Sequence, residues 1–90
     1  MKRVHITVSG MVQGVFFRHN TNIAANKLGL KGYVRNKEHD SVEVVAEGPE
    51  DKLKELVAFC RKGPEGARVD KIKVEYEELK NEFDGFCIRY

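Results

Sequence analysis

No tryptophan, no run of like charge and no long apolar stretch occurs in this 90-residue sequence, which holds only two prolines and two cysteines. A bilayer span needs about 18 or more consecutive apolar residues, and a leader needs a basic start followed by an apolar segment. Neither pattern is present, so the cytoplasm is the expected compartment. Sixteen Lys and Arg stand against fourteen Asp and Glu, and the resulting charge of +2 is scattered. The bulk field therefore gives no reason to expect nucleic acid or membrane as a partner. Cys60 and Cys87 share no metal or redox spacing. They read as two reduced, partly buried thiols, with a disulfide open only if the helix carrying Cys60 lies over the strand carrying Cys87. No cluster of His, Asp and Glu has metal-ligand spacing, so no metal is expected.

What is present is one domain's worth of regular pattern, spanning residues 1–90; a chain of this size buries roughly 60–65% of its unfolded surface. Val4, Ile6 and Val8 alternate with His5, Thr7 and Ser9 as a half-buried strand. From about Asn20 to Leu28, Ile23, Ala24 and Leu28 form a short helical stripe, and Gly29 is a stop just past it. Strands follow over Leu30 to Asn36 and Ser41 to Gly48, with Val42, Val44 and Ala46 on the core side and Glu43, Val45 and Glu47 opposite. Pro49, Glu50 and Asp51 open a second helix whose apolar stripe is Leu53, Leu56, Val57 and Cys60. A strand from Arg68 to Tyr76 and a short terminal one through Phe86, Ile88 and Tyr90 complete the chain.

The order β-α-β-β-α-β is that of the ferredoxin-like split βαβ sandwich, an α+β fold with an antiparallel sheet and two helices on one face. In that fold the crossover from the first strand to the second brings the loop ending in Arg18 and the strand end at Asn36 to one edge of the sheet. The third strand lies between them, so their axes are about 10 Å apart.

The loop is where chemistry concentrates. Val8-Ser9-Gly10-Met11-Val12-Gln13-Gly14-Val15-Phe16-Phe17-Arg18 runs from a strand end through two glycines to an arginine and into a helix. Gly10 and Gly14 free the backbone so that the loop amides can turn inward together, and the helix start adds unpaired N–H groups. Arg18 offers a planar donor fork suited to phosphate oxygens. A phosphate cradle is the expected result.

Several reaction classes are missing their residues. A cysteine phosphatase needs a thiolate six residues before its arginine, where Val12 stands, and a nucleotide P-loop needs Lys-Ser/Thr after its second glycine, where Val15-Phe16 stands. No carboxylate in the loop can become an aspartyl phosphate. Arg18, the loop amides and Asn36 contribute no group that titrates near neutrality, so a leaving group must depart without a proton. A carboxylate leaving from phosphorus meets that condition, which points to a mixed carboxyl-phosphate anhydride. Positioning and charge stabilisation are most of what phosphoryl transfer demands.

The same loop closely resembles the signature loop of acylphosphatases, and Gly32-Tyr33-Val34-Arg35-Asn36 resembles their second motif. Gly63-Pro64 with Ala67-Arg68-Val69, and the ending Gly85-Phe86-Cys87-Ile88-Arg89-Tyr90, extend the resemblance over essentially the whole chain. It implies a hydrolase of small acyl phosphates that works without metal, cofactor or covalent phospho-enzyme. It also implies that Arg18 and the amides of Val15, Phe16, Phe17 and Arg18 hold the phosphoryl group while Asn36 orients the attacking water. The expected partners are an acyl phosphate and, as a bound anion, inorganic phosphate or sulfate; the chain is expected to act as a monomer. One departure is visible, since the hairpin after Asn36 usually carries Asp-Gly and here reads His39-Asp40.

Blander roles are assigned elsewhere. Phe16 and Phe17 read as core and loop-packing residues, with Phe16 supplying mainly its amide. His19 reads as a helix-start histidine facing water rather than a general base, and the carboxylate of Tyr90 as a brace for Arg18. An RNA-recognition domain shares this element order but stacks bases on aromatics in its first and third strands, where this chain has His5, Thr7, Ser9, Glu43, Val45 and Glu47. An anion-binding module without turnover is the remaining rival.

Overall fold

The computed structural model describes residues 1–14, 16–38 and 40–90. Seven elements follow in the order β1 (Lys2–Met11), α1 (Phe17–Lys27), β2 (Lys31–Asn36), β3 (Ser41–Gly48), α2 (Glu50–Lys62), β4 (Arg68–Glu77) and β5 (Phe86–Arg89). They build one sheet in the order β4-β1-β3-β2-β5, the ferredoxin-like arrangement with β3 between β1 and β2. β1 is antiparallel to both β3 and β4, and β2 is antiparallel to β3. β5 runs parallel to β2, so the whole sheet is mixed, although its four-stranded centre is antiparallel as expected.

Alternation fixes which face is buried. Val4, Ile6 and Val8 of β1, Val42, Val44 and Ala46 of β3, and Val34 of β2 are fully buried in one cluster with Leu53, Leu56 and Cys60 of α2 and Phe17 and Ala25 of α1. Each fully buried leucine of α2 contributes about 1.5–3 kcal/mol relative to exposure. The α2 stripe is the one its sequence spacing specifies. The α1 stripe is so only in part: Ala24 and Leu28 pack against the core, but Ile23 is exposed and the fully buried residues are Phe17, Thr21 and Ala25. The helix begins at Phe17, ahead of Arg18, which rotates the inward face from the Ile23 row to the Phe17-Thr21-Ala25 row.

The opposite face of β3 is also covered, against the polar alternation. Glu43 and Glu47 are buried. Glu43 accepts hydrogen bonds from Arg35 Nε at 2.5 Å and Tyr33 Oη at 3.3 Å, and its other oxygen lies 2.7 Å from His5 Nε2. Glu47 accepts from the backbone N–H groups of Lys80 and Asn81 and from Arg3, pinning the chain after β4 across the sheet. Burial alone would raise both carboxyls, but these donors and charges outweigh it and hold both below the ordinary carboxylate range.

The cysteines stay apart. Cys60 faces the core from α2, and Cys87 is exposed between the inward-facing Phe86 and Ile88 of β5. They lie on opposite sides of the sheet and both are free thiols, so the disulfide left open by the sequence is not formed. Burial pushes the Cys60 thiol up to about 12.

Candidate active site

A cavity of about 360 Å³ opens at the junction of the β1–α1 loop and the end of β5, lined by Gln13, Gly14, Phe16 to His19 and Tyr90 over a base that includes Val12 and Ile88. Two core side chains fasten the loop that walls it. Val12 and Phe17 are both about 1% exposed, so each end of the turn is anchored in the hydrophobic cluster and the segment between them is held over the cavity. Gly10 lies in the bulge where the register of β1 against β4 shifts; a Cβ there would meet the Arg68 carbonyl oxygen at 2.3 Å. Gly14 has open space around it and is needed for its φ of 74° alone.

Phe16 is the unusual residue. It occupies the left-handed region at φ 60°, ψ 23°, which costs an L-residue about 1–2 kcal/mol. Its carbonyl accepts from Asn20 N at 2.9 Å and Asn20 Nδ2 at 3.0 Å, which holds the conformation in place. The ring stands three-quarters exposed, so Phe16 is not the core residue expected from its apolar side chain. The αL backbone turns the ring out to the cavity rim, while Phe17 alone packs inward.

The start of α1 is open. No side chain caps it and its first turn holds no acid; among the described residues the N–H groups of Phe16, Phe17 and Arg18 have no acceptor. Unpaired amides and the positive end of the helix dipole make such a terminus receptive to an anion. Arg18 adds a full charge on the same cavity. No ion pair among the described residues involves it, and its guanidinium carbon sits 5.0 Å above the Tyr90 ring. The ring, rather than the C-terminal carboxylate, is what braces Arg18.

Of the residues singled out from the sequence, Gly14, Phe16, Phe17 and Arg18 meet at this cavity. Val15 and His39 lie outside the described residues. Gly10 shapes the loop from a distance. Asn36 does not line the cavity; it ends β2, opposite Val42 and one residue past the Arg35–Arg89 pair, on the helix-side face with Val34. Its Oδ1 is buried and has no hydrogen-bond partner among the described residues. An acceptor in that condition costs about 1–3 kcal/mol until a donor reaches it. His19 faces water as expected, but it is also part of the cavity rim, with its ring edge against Phe16 at 6.4 Å.

Gln13 carries a role that the sequence did not disclose. Its amide nitrogen, Nε2, donates to the Ser41 carbonyl at 2.8 Å and also to the Glu38 carbonyl, while Gly10 N donates to the Asp40 carbonyl at 3.0 Å. The loop is thereby strapped to the β2–β3 turn, and with it to the strand end at Asn36. A lone amide side chain between two loop glycines is the only local signal for such a strap. Among the described residues no group of three His, Cys, Asp or Glu is placed to hold a metal ion, and no helix is long and apolar enough to cross a membrane.

Frame and cavity together define a ferredoxin-like α+β domain with an anion-receptive loop at one sheet edge. Residues 4–88 match the acylphosphatase family model, and the chain belongs to that family. It is 49% identical over 87 residues to an acylphosphatase of Pyrobaculum calidifontis, covering 96% of this chain and 79% of that one, and 48% identical over 89 residues to one of Aeropyrum pernix, covering 98% and 88%. The crystal structure of acylphosphatase from Bacillus subtilis superposes with a TM-score of 0.94 at 36% identity over 100% of both chains. Members of this family hydrolyse acyl phosphates, and this chain is an enzyme of that class.

Proposed function

We propose that residues 1–90 act as one unit that hydrolyses small acyl phosphates by direct attack of water on a phosphoryl group held by Arg18 and by the N–H groups of Val15, Phe16, Phe17 and Arg18. The observation that carries this is the uncapped, acid-free start of α1, where, among the described residues, the N–H groups have no acceptor and Arg18 has no ion-pair partner around one cavity. The fork of Arg18 takes two phosphoryl oxygens and the amides take the charge that grows on them as the P–O bond to the acyl group lengthens. Asn36, at the neighbouring end of β2, is the residue assigned to orient the attacking water, its amide accepting a hydrogen bond from that water as the lone pair is aimed at phosphorus. A neutral amide suits that place because a carboxylate would repel the phosphate dianion. The P–O(acyl) bond breaks, the carboxylate departs without needing a proton, and the proton of the water passes to a phosphate oxygen. No metal enters the scheme, and the monomer suffices.

Phosphate release from acetyl phosphate in the presence of EDTA tests this. Turnover is expected to survive the chelator, to be inhibited competitively by inorganic phosphate, and to be lost in Arg18→Ala and Asn36→Ala while alkyl phosphate esters stay intact. Phosphate binding without turnover would instead make the chain an anion-binding module, and efficient cleavage of alkyl esters would contradict proton-free departure.

A further inference from the structure

We propose that Phe16 and Tyr90 select the acyl half of the substrate, favouring acyl phosphates whose acyl group is a flat apolar ring over those with an acetyl-sized one. This rests on the cavity being the phosphoryl site. Among the described residues the large exposed apolar side chains are Met1, Met11, Phe16, Ile23, Tyr76, Leu79 and Tyr90, and only Phe16 and Tyr90 of these line the cavity. Phe16 is 75% exposed and Tyr90 99% exposed, so each leaves most of an aromatic surface in water beside the place where the phosphoryl group would bind.

The backbone at Phe16 gives the second observation. Among the described residues the other non-glycine residue with positive φ is Asn81, a type that tolerates the left-handed region, whereas a phenylalanine there is strained. Strain maintained at a cavity rim marks a side chain kept for what it meets. The αL turn separates the two halves of the residue, sending the amide toward the helix start and the ring outward. Tyr90 is placed by its contact with Arg18, so the arginine that would hold the phosphoryl group also fixes one apolar wall. The cavity volume leaves room for an acyl group beyond the phosphoryl head. A planar ring entering there covers aromatic surface on Phe16 and Tyr90 that a methyl group cannot reach.

The test compares kcat/KM for benzoyl phosphate with kcat/KM for acetyl phosphate in the wild type, Phe16→Gly and Tyr90→Leu. Glycine prefers the φ that Phe16 adopts, so Phe16→Gly keeps the loop amide and removes only the ring. Tyr90→Leu keeps the terminal carboxylate. Both substrates share the phosphoryl group, so any general loss of phosphoryl binding or of stability cancels in the ratio. The benzoyl-to-acetyl ratio is expected to fall about fivefold in each variant and to recover in Phe16→Tyr, in line with the strength of single aromatic contacts. A ratio that stays within about twofold of wild type in both variants overturns the selection while leaving the hydrolase intact. A wild type that hydrolyses neither substrate overturns both.

Discussion

The two helices begin in opposite ways. α2 starts after Pro49, whose carbonyl accepts from Lys52 N and Leu53 N at 3.0 Å each, and its first turn carries Glu50 and Asp51 against the positive end of the dipole. α1 starts after a strained Phe16, with no acid in its first turn and with Arg18 adding a second positive element. Neither terminus has a side-chain cap, but at α2 the acids of the first turn meet the positive end of the dipole and serve stability. At α1 the same electrostatic need is unmet among the described residues, beside the cavity.

The largest expected effect breaks the α1 side of this contrast. Arg18→Ala should lower kcat/KM for acetyl phosphate by about 10³-fold, since a charged donor on the reacting group is lost. Its thermal midpoint should stay close to wild type, because among the described residues no ion pair holds Arg18 in the fold. A collapse of secondary structure by circular dichroism would instead make Arg18 a folding residue.

Acid titration asks which acids matter to stability. The folded Glu43 and Glu47 carboxyls titrate below their ordinary range, so their contribution is complete above the unfolded value of about 4.3 and is lost as pH falls through the lower folded values. Stability to urea should therefore weaken as pH falls below about 5, and Glu47→Gln should flatten that loss. Neutralising the exposed Glu50 and Asp51 should flatten it less. An unchanged pH profile in Glu47→Gln would count against the buried carboxylate clasp.

His19→Asp makes the α1 terminus resemble that of α2. An acid in the first turn is expected to stabilise the fold by about 0.3–1 kcal/mol while weakening phosphate binding by about tenfold, measured by thermal unfolding and competitive inhibition. Tighter phosphate binding would refute the view that the terminus is an anion site. The smallest effect is expected for Glu50→Gln with Asp51→Asn, about 0.5–1 kcal/mol of stability by denaturant melt with kcat/KM unchanged. A change in turnover would mean that the two termini are coupled.

Periodicity made most of the fold legible. The Val4-Ile6-Val8 alternation and the Leu53-Leu56-Val57-Cys60 stripe each fit one face, and those faces meet in the core. α1 was less legible because the apolar Ile23 reads as part of the stripe with Ala24 and Leu28, whereas the inward face is the one Phe17 anchors, with its ring centroid 6.5 Å from that of Phe59 of α2. The site followed the same division. Gly14, Phe17 and Arg18 were found from a contiguous loop, but the Gln13 strap joins segments about 25 residues apart, and a glutamine looks the same in sequence whether or not its amide has a partner.

By itself the sequence determined the element types, the antiparallel β1-β3-β2 centre and the loop with its arginine, because these depend on spacing along one stretch of chain. Tertiary structure alone decided that β5 runs parallel to β2, that Cys60 and Cys87 lie on opposite faces, that Glu43 and Glu47 are buried, and that the Tyr90 ring lies under Arg18. Each of these depends on which distant segment covers a residue, and local pattern carries no record of that.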